Sequence, residues 1–363
     1  MLDVGVGTGR GSIPLARAGF SVTGIDSSQA MLDETRRLAG SLNLDLRVGD
    51  VTRLPVDDAS KDFLLSLNVL VHFPHWREVL GEWQRVVRPA GRIMFDIHSY
   101  DHLVAAHGVD AAAIAVRGMD SSEFGAYMSS VKVEDIVHWA NQNDMALRAV
   151  IPYSTLYSGA CNNHLLTALE SRRDWLRLCS WMASDKHLLD LAFWLEYTVT
   201  ARLPSAATYR YFVVLDNVAD IAANQAWLDK NSRLQAMLSQ GGDIGELANA
   251  MGLDIVVMRQ QLARLLVNPR TRAYLYRIIK EIGRLSPRLD FSALLPEPIA
   301  ALYRDWALQD ALDHAACRWS RECLSSSDGH FAYANTPLAP ALEYPLVENI
   351  LTSYFGVFSG VRS

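Results

Sequence analysis

The sequence predicts an α/β fold: a doubly wound parallel sheet followed by an all-helical C-terminal domain. Three observations predict it. Short apolar runs alternate with amphipathic stretches through about residue 97. The first run opens directly onto Gly5, Gly7 and Gly9, and the second ends in Asp26. After Asn217 the pattern becomes almost entirely helical.

The first strand is contained in Leu2-Asp-Val-Gly-Val-Gly-Thr-Gly9. Glycines at this spacing let the backbone turn sharply and let a ligand lie against bare amides. A helix-like stretch follows. The second strand, Ser21–Ile25, ends in Asp26, seventeen residues after Gly9. A carboxylate at that strand end suits a ribose diol. Leu44–Val48 is the third strand and runs into Gly49-Asp50-Val51. An acid there suits an adenine amino group. Asp62–Asn68 is the fourth strand, followed by Val69–Phe73 at the carboxyl edge, where open sheets bind ligands. Pro74–Val87 has helical periodicity, Arg88–Arg92 reads as a turn, and Ile93–Ile97 as a strand.

Residues 98–130 are less regular, with Gly108, Gly118 and Gly125, and are expected to line a substrate pocket. Val133–Asn141 reads as a helix and Met145–Tyr153 as a strand broken by Pro152. Residues 162–200 are helical, with Trp175, Trp181, Phe193 and Trp194 among leucines, and Tyr209–Asp216 is the last strand. Beyond it, Asp243–Asp254 and Val256–Leu266 resemble a helix-turn-helix, with Asp243 as cap and Gly252 at the turn. The expected domains are 1–217, with a helical insertion at about 160–205, and 218–363, with the helix-turn-helix-like segment at about 243–267.

The glycine loop does not fit the dinucleotide fingerprint. Where the last glycine is wanted, the chain has Arg10 or Ser12. This disfavours a nicotinamide-dependent oxidoreductase. The pattern is Asp-x-Gly-x-Gly-x-Gly, from Asp3 to Gly9. Together with Leu2–Gly9, the segments Gly24-Ile-Asp-Ser-Ser-Gln-Ala-Met-Leu32, Gly49-Asp50, Leu54-Pro55, Asp62-Phe63 and Arg85-Val-Val-Arg-Pro-Ala-Gly91 resemble the class I S-adenosylmethionine-dependent methyltransferases of small molecules. The resemblance is strong through about residue 97 and thinner to about 217.

It implies a Rossmann-like methyltransferase sheet and S-adenosylmethionine as cofactor. Gly5, Gly7 and Gly9 would lie under the methionine moiety, with Asp3 helping to hold its ammonium, directly or through water. Asp26, with Ser27 beside it, would bind the ribose. Met31 would flank the adenine, Asp50 and Val51 would meet its amine edge, and the Asn68 carbonyl would face the ammonium. Members of the family usually carry dozens of residues ahead of the first strand, which cover the cofactor. Here Met1 directly precedes that strand. Two expectations stand: a truncated reading frame, or a cover supplied by the C-terminal region. Ala90 replaces a glycine common in the family.

Composition sets outer bounds. The chain has 363 residues, 50% of them hydrophobic, enough for two domains. Its net charge of −6 disfavours general attraction to nucleic acid. Eight basic residues against Glu281 alone between Arg259 and Arg288 are read as a solvated face rather than a DNA contact. No leader and no membrane-spanning run is evident, so a cytoplasmic protein with no membrane partner is expected. Cys161, Cys179, Cys317 and Cys323 form no Cys-x-x-Cys pair and are read as free thiols. The aromatic tail, Ser325–Ser363, is expected to wrap onto the helical domain or a partner subunit, giving a homodimer through the C-terminal half.

Methyl transfer needs alignment and, for a hydroxyl acceptor, a base. His72 and His98 follow strands at the carboxyl edge and are the candidates, with His75 and Tyr100 nearby. Tyr153, Tyr157 and Asn163 are weaker pocket candidates. His72-Phe-Pro-His75 lacks the arrangement of a metal site, so no metal is expected. Asp57 and Asp58 read as solvated loop charges. Asp96, on an apolar strand, needs a partner in the backbone or in His98. The expected function is methyl transfer from S-adenosylmethionine to a small-molecule acceptor. The alternative is a non-catalytic cofactor-binding or regulatory protein acting through its helical half.

Overall fold

A computed structural model describes residues 1–107, 130–152, 185–205, 210–240, 244–269, 271–272 and 275. Gly108, Gly118, Gly125, Tyr153, Tyr157, Asn163, all four cysteines, Asp243 and the tail from Ser325 lie outside these residues, as does most of the insertion and of the basic run.

The chain divides into two compact units, one containing Met1–Ile151 and Tyr209–Asp229, the other Pro152–Thr208 and Lys230–Glu343. The first unit opens with β1 (Leu2–Val4), α1 (Ser12–Arg17), β2 (Thr23–Asp26), α2 (Gln29–Ala39), β3 (Asp45–Val48) and β4 (Lys61–Ser66). A 3-10 turn at Leu70–His72, α3 (Trp76–Val86) and β5 (Val87–Ser99) follow. Then come α4 (Tyr100–His107), β6 (Ser130–Val131), α5 (Val133–Gln142) and β7 (Ala146–Pro152). After α6 (Lys186–Trp194) of the second unit, β8 (Arg210–Asp216) returns to the sheet. The strand order is β3-β2-β1-β4-β5-β8-β7, with β6 paired to β5 off that path. Strands β1 to β5 run parallel, and β8 runs antiparallel to β5.

The inner strands β1, β2 and β5 are buried along most of their length and β4 from Leu64 to Ser66, as in a parallel sheet covered on both faces, whereas the edge strand β3 is exposed. Leu2, Val4, Ile25, Leu64, Ile93, Phe95 and Val213 are all fully buried in one core. Helix α3 adds Trp76, Val79, Leu80, Trp83 and Val86 at helical spacing. Each such side chain contributes roughly 1.5–3 kcal/mol by leaving water.

Strand β5 differs from expectation. Arg88–Arg92 does not precede the strand but bulges inside it: Lys61 pairs with Val87, and the next pair is Phe63 with Arg92. Ala90 takes a φ of +59° there. Asn217 staples the bulge: its N–H donates to the Gly91 carbonyl, its carbonyl accepts from the Ala90 N–H, and its side chain donates to the Val87 carbonyl. A Cβ on Gly91 would lie 2.8 Å from the Asp62 carbonyl oxygen, so this close approach requires glycine.

In the second unit, α6 continues into a π turn at Leu195–Val199 and a 3-10 turn at Thr200–Arg202. Of the later helices, α7 (Ile221–Gln240) begins in the first unit, through Asp229, and continues in the second, which also holds α8 (Ile244–Ala250) and α9 (Ile255–Leu265). Leu247, Ala248, Met251, Leu253 and Met258 pack α8 onto α9 with Leu234. Gly252 turns the chain at φ +75°, and Asp254 caps α9 by accepting from the Val256 and Val257 N–H groups. Among the described residues no helix is long and apolar enough to cross a membrane.

Candidate cofactor and acceptor site

Parallel pairing collects the strand ends. Val4 lies opposite both Ile25 and Ser66, Asp26 opposite Val48, and Ser66 opposite Phe95. The glycine loop, Asp26, Asp50 and Asn68 therefore leave one carboxyl edge. The order reverses between β1 and β4, and a doubly wound sheet opens its crevice at such a point.

The glycine loop is held from three sides. Gly5, Gly7 and Gly9 all have positive φ, from +54° to +85°. A Cβ on Gly5 would lie 2.2 Å from Val69 Cγ2, and one on Gly9 would lie 2.8 Å from Ile13 Cδ1. A Cβ on Gly7 would meet nothing within 4 Å. Two of the glycines are thus required by packing, whereas Gly7 faces open space. The Gly7 carbonyl accepts from Thr35 Oγ1 at 2.8 Å, which ties the loop to α2. The Gly7 N–H donates to Asp26 Oδ2 at 2.8 Å, and the Ser28 N–H donates to Asp26 Oδ1 at 2.9 Å. These bonds fix the Asp26 carboxylate at the loop, and each oxygen keeps a second lone pair for a hydroxyl donor.

Asp3 lies beneath the loop. It is 2% exposed, and its Oδ2 accepts from Ser12 Oγ at 2.5 Å. Burial pushes its pKa up to about 6, against the opposing bonds from the Ser12 side chain and backbone. Ser27 is exposed, and Met31, in the first turn of α2, is 43% exposed. Asp50 is exposed and Val51 buried. The Thr52 N–H and hydroxyl both donate to Asp50 Oδ1 at 2.8 Å, holding its carboxyl below the usual range. The loop after Asp50 is clasped from α3: Glu82 accepts from the Leu54 N–H, and Arg85 donates to Glu82, Asp58 and the Leu54 and Val56 carbonyls. Asp58, read as a solvated loop charge, is exposed as expected and also pairs with Arg85.

Asn68 has φ +57°. Its N–H donates to Asp96 Oδ1 at 2.5 Å, and its Oδ1 accepts from Arg210. Arg210 also donates to Asp96 Oδ2 at 3.1 Å. Asp96 therefore has the expected backbone partner, together with an arginine from β8 that sequence reasoning missed. His72 is exposed in the 3-10 turn. His98 requires a correction: it does not follow a strand but lies inside β5, 3% exposed. It pairs with Arg210 on one edge and with Ser130 on the other. The extra pairing with β6 extends the strand past Ile97. Among the described residues no group of three His, Cys, Asp or Glu side chains gathers as a metal site.

Residues 2–95 match the methyltransferase domain family. A protein in transposon Tn4556 of Streptomyces fradiae is 37% identical over 106 residues, 28% of this chain and 31% of that protein. A phthiotriol/phenolphthiotriol dimycocerosates methyltransferase of Mycobacterium tuberculosis is 32% identical over 128 residues, 35% of this chain and 47% of the enzyme. A demethylmenaquinone methyltransferase of Clavibacter sepedonicus is 39% identical over 95 residues, 26% of this chain and 39% of that enzyme. The chain thus spans less than half the length of these relatives. Residues 2–95 are thus similar to methyltransferase domains, and their strand order and glycine loop accord with that match.

Proposed function

We propose that the chain transfers a methyl group from S-adenosylmethionine to a small-molecule acceptor. The observation that carries this reading is the Gly7–Asp26 clasp: a carboxylate fixed by two amides beside a glycine that faces open space. That cradle fits a nucleoside without phosphates. Asp26 accepts from the ribose hydroxyls, Met31 lies against the adenine, and Asp50, ionised at neutral pH, accepts from its amine. The Asn68 carbonyl accepts from the ammonium. Asp3, closed under the loop, supports the loop through Ser12.

S-adenosylmethionine, when bound, supplies a methyl on a sulfonium that is already a good leaving group. The protein's part is alignment and proton removal. For a hydroxyl acceptor, exposed His72 is the residue that would take the acceptor proton during methyl transfer. His98 is buried and orders the edge rather than meeting solvent. The small-molecule class is supported by the activities named for the mycobacterial and Clavibacter relatives.

The test is calorimetric titration of the full chain with S-adenosylhomocysteine, with NAD as control. Saturable binding of the first alone is expected. Asp26→Ala should weaken it by about ten- to a hundredfold, the loss of one or two hydrogen bonds to a charged group. Unchanged binding by Asp26→Ala would remove the ribose assignment.

A further inference from the structure

Arg210 stands far from every motif of the glycine loop, 142 residues from the side chain it holds. It is nonetheless joined to the crevice by a continuous set of contacts. Asn68, two residues past the end of β4, takes the left-handed conformation that asparagine tolerates better than most residues. Both its N–H and its side-chain oxygen are held, the first by Asp96 and the second by Arg210. Arg210 and Asp96 are themselves paired and buried, with side chains 7% and 1% exposed. The next residue, Val69, lies where a Gly5 side chain would be, 2.2 Å from that Cβ position. The turn at Asn68 therefore seats Val69 on the glycine loop, across the point where the strand order reverses.

We propose that Arg210 is a positioning residue for cofactor binding: with Asp96 it fixes the left-handed turn at Asn68, which sets Val69 against Gly5 and aims the Asn68 carbonyl at the crevice. This rests on the cofactor reading given above. A buried ion pair adds little net stability on its own, because desolvation offsets the attraction. What the pair supplies here is a turn held in a single geometry, by a fork whose NH2 group reaches both an amide oxygen and a carboxylate.

The test is a cycle of variants in the full chain, with S-adenosylhomocysteine affinity by calorimetry and thermal melting measured side by side. Arg210→Met with Asp96→Asn removes the pair without stranding a charge. This double variant should melt cooperatively yet bind about tenfold more weakly, the equivalent of one charge-assisted hydrogen bond. Asn68→Ala should weaken binding in the parent but add nothing in the double variant, because the tether is already gone. Arg210→Lys keeps the charge and loses the fork, and should give an intermediate affinity. It also serves if the double variant does not fold. Parent affinity in either folded variant, or full additivity with Asn68→Ala, would overturn the proposal. A parent that fails to bind S-adenosylhomocysteine would overturn the cofactor reading and this proposal with it.

Discussion

Asp3 is enclosed beneath the glycine loop with its carboxyl pushed up to about 6 by burial. Its unfolded value is the ordinary 3.8. Between these two values the unfolded chain has released the proton while the folded chain still holds it, so this residue lowers stability as pH rises through that window. Below the window both states are protonated and the cost vanishes. Above it the cost levels off at about 3 kcal/mol, taking 1.36 kcal/mol per pH unit. Asp3→Asn should remove this component: the difference in urea-unfolding free energy between variant and parent should rise from about pH 4 to about 6 and then flatten. A difference independent of pH would show that the carboxyl ionises alike in both states. The residue itself was legible from its place before the glycines. That its partner is Ser12 was not, because a serine at a helix start carries no distinguishing signal. Asp96 was legible as a buried acid in need of a partner, but Arg210 comes from a strand more than a hundred residues later.

At the scale of elements, the glycine loop separates packing from ligand space. Gly7→Ala pays only for a left-handed alanine, about 1–2 kcal/mol, and puts its methyl into the space where a ligand would lie. It should fold and bind S-adenosylhomocysteine weakly. Gly5→Ala meets Val69 as well, so it should lose more stability than Gly7→Ala, read as a lower urea midpoint. Equal midpoints would contradict the close seating of Val69. A second joint binds α7 to the sheet: fully buried Asn224 accepts from the Leu147 N–H at 2.6 Å and donates to the Met145 carbonyl and Asn141 Oδ1. Asn224→Ala leaves these groups without that partner and should cost about 3 kcal/mol in urea unfolding. A loss under about 0.5 kcal/mol, the range of ordinary surface changes, would mean that water replaces the amide. The inner strands of the parallel sheet were legible because burial writes apolar runs into the sequence, whereas exposed β3 was legible from its place before Gly49-Asp50. The bulge at Arg88–Gly91, the two-residue β6 and the staples at Asn217 and Asn224 were not. Each depends on a partner distant in sequence, and none alters local periodicity.

For the whole molecule, each unit has its own core, one around the sheet and one around α8 and α9. The carboxyl edge with Gly7, Asp26, Asp50 and Asn68 belongs to the first unit. A ligand bound there opposes every opening that breaks the edge, adding about 2.7 kcal/mol at a hundred times its dissociation constant. Hydrogen exchange read by mass spectrometry reports such openings segment by segment. Saturating S-adenosylhomocysteine should therefore slow exchange in peptides covering Val4–Thr8, Asp26–Met31 and Asn68–Phe73. The Gly7 and Ser28 amides, already bonded to Asp26, should show the largest gain, because exchange at those positions requires the clasp to open. Protection confined to Ile244–Leu265 would place the ligand in the helical unit and remove the strand edge as its site. Protection along the edge that disappears in Asp26→Ala would tie the bound nucleoside to that carboxylate.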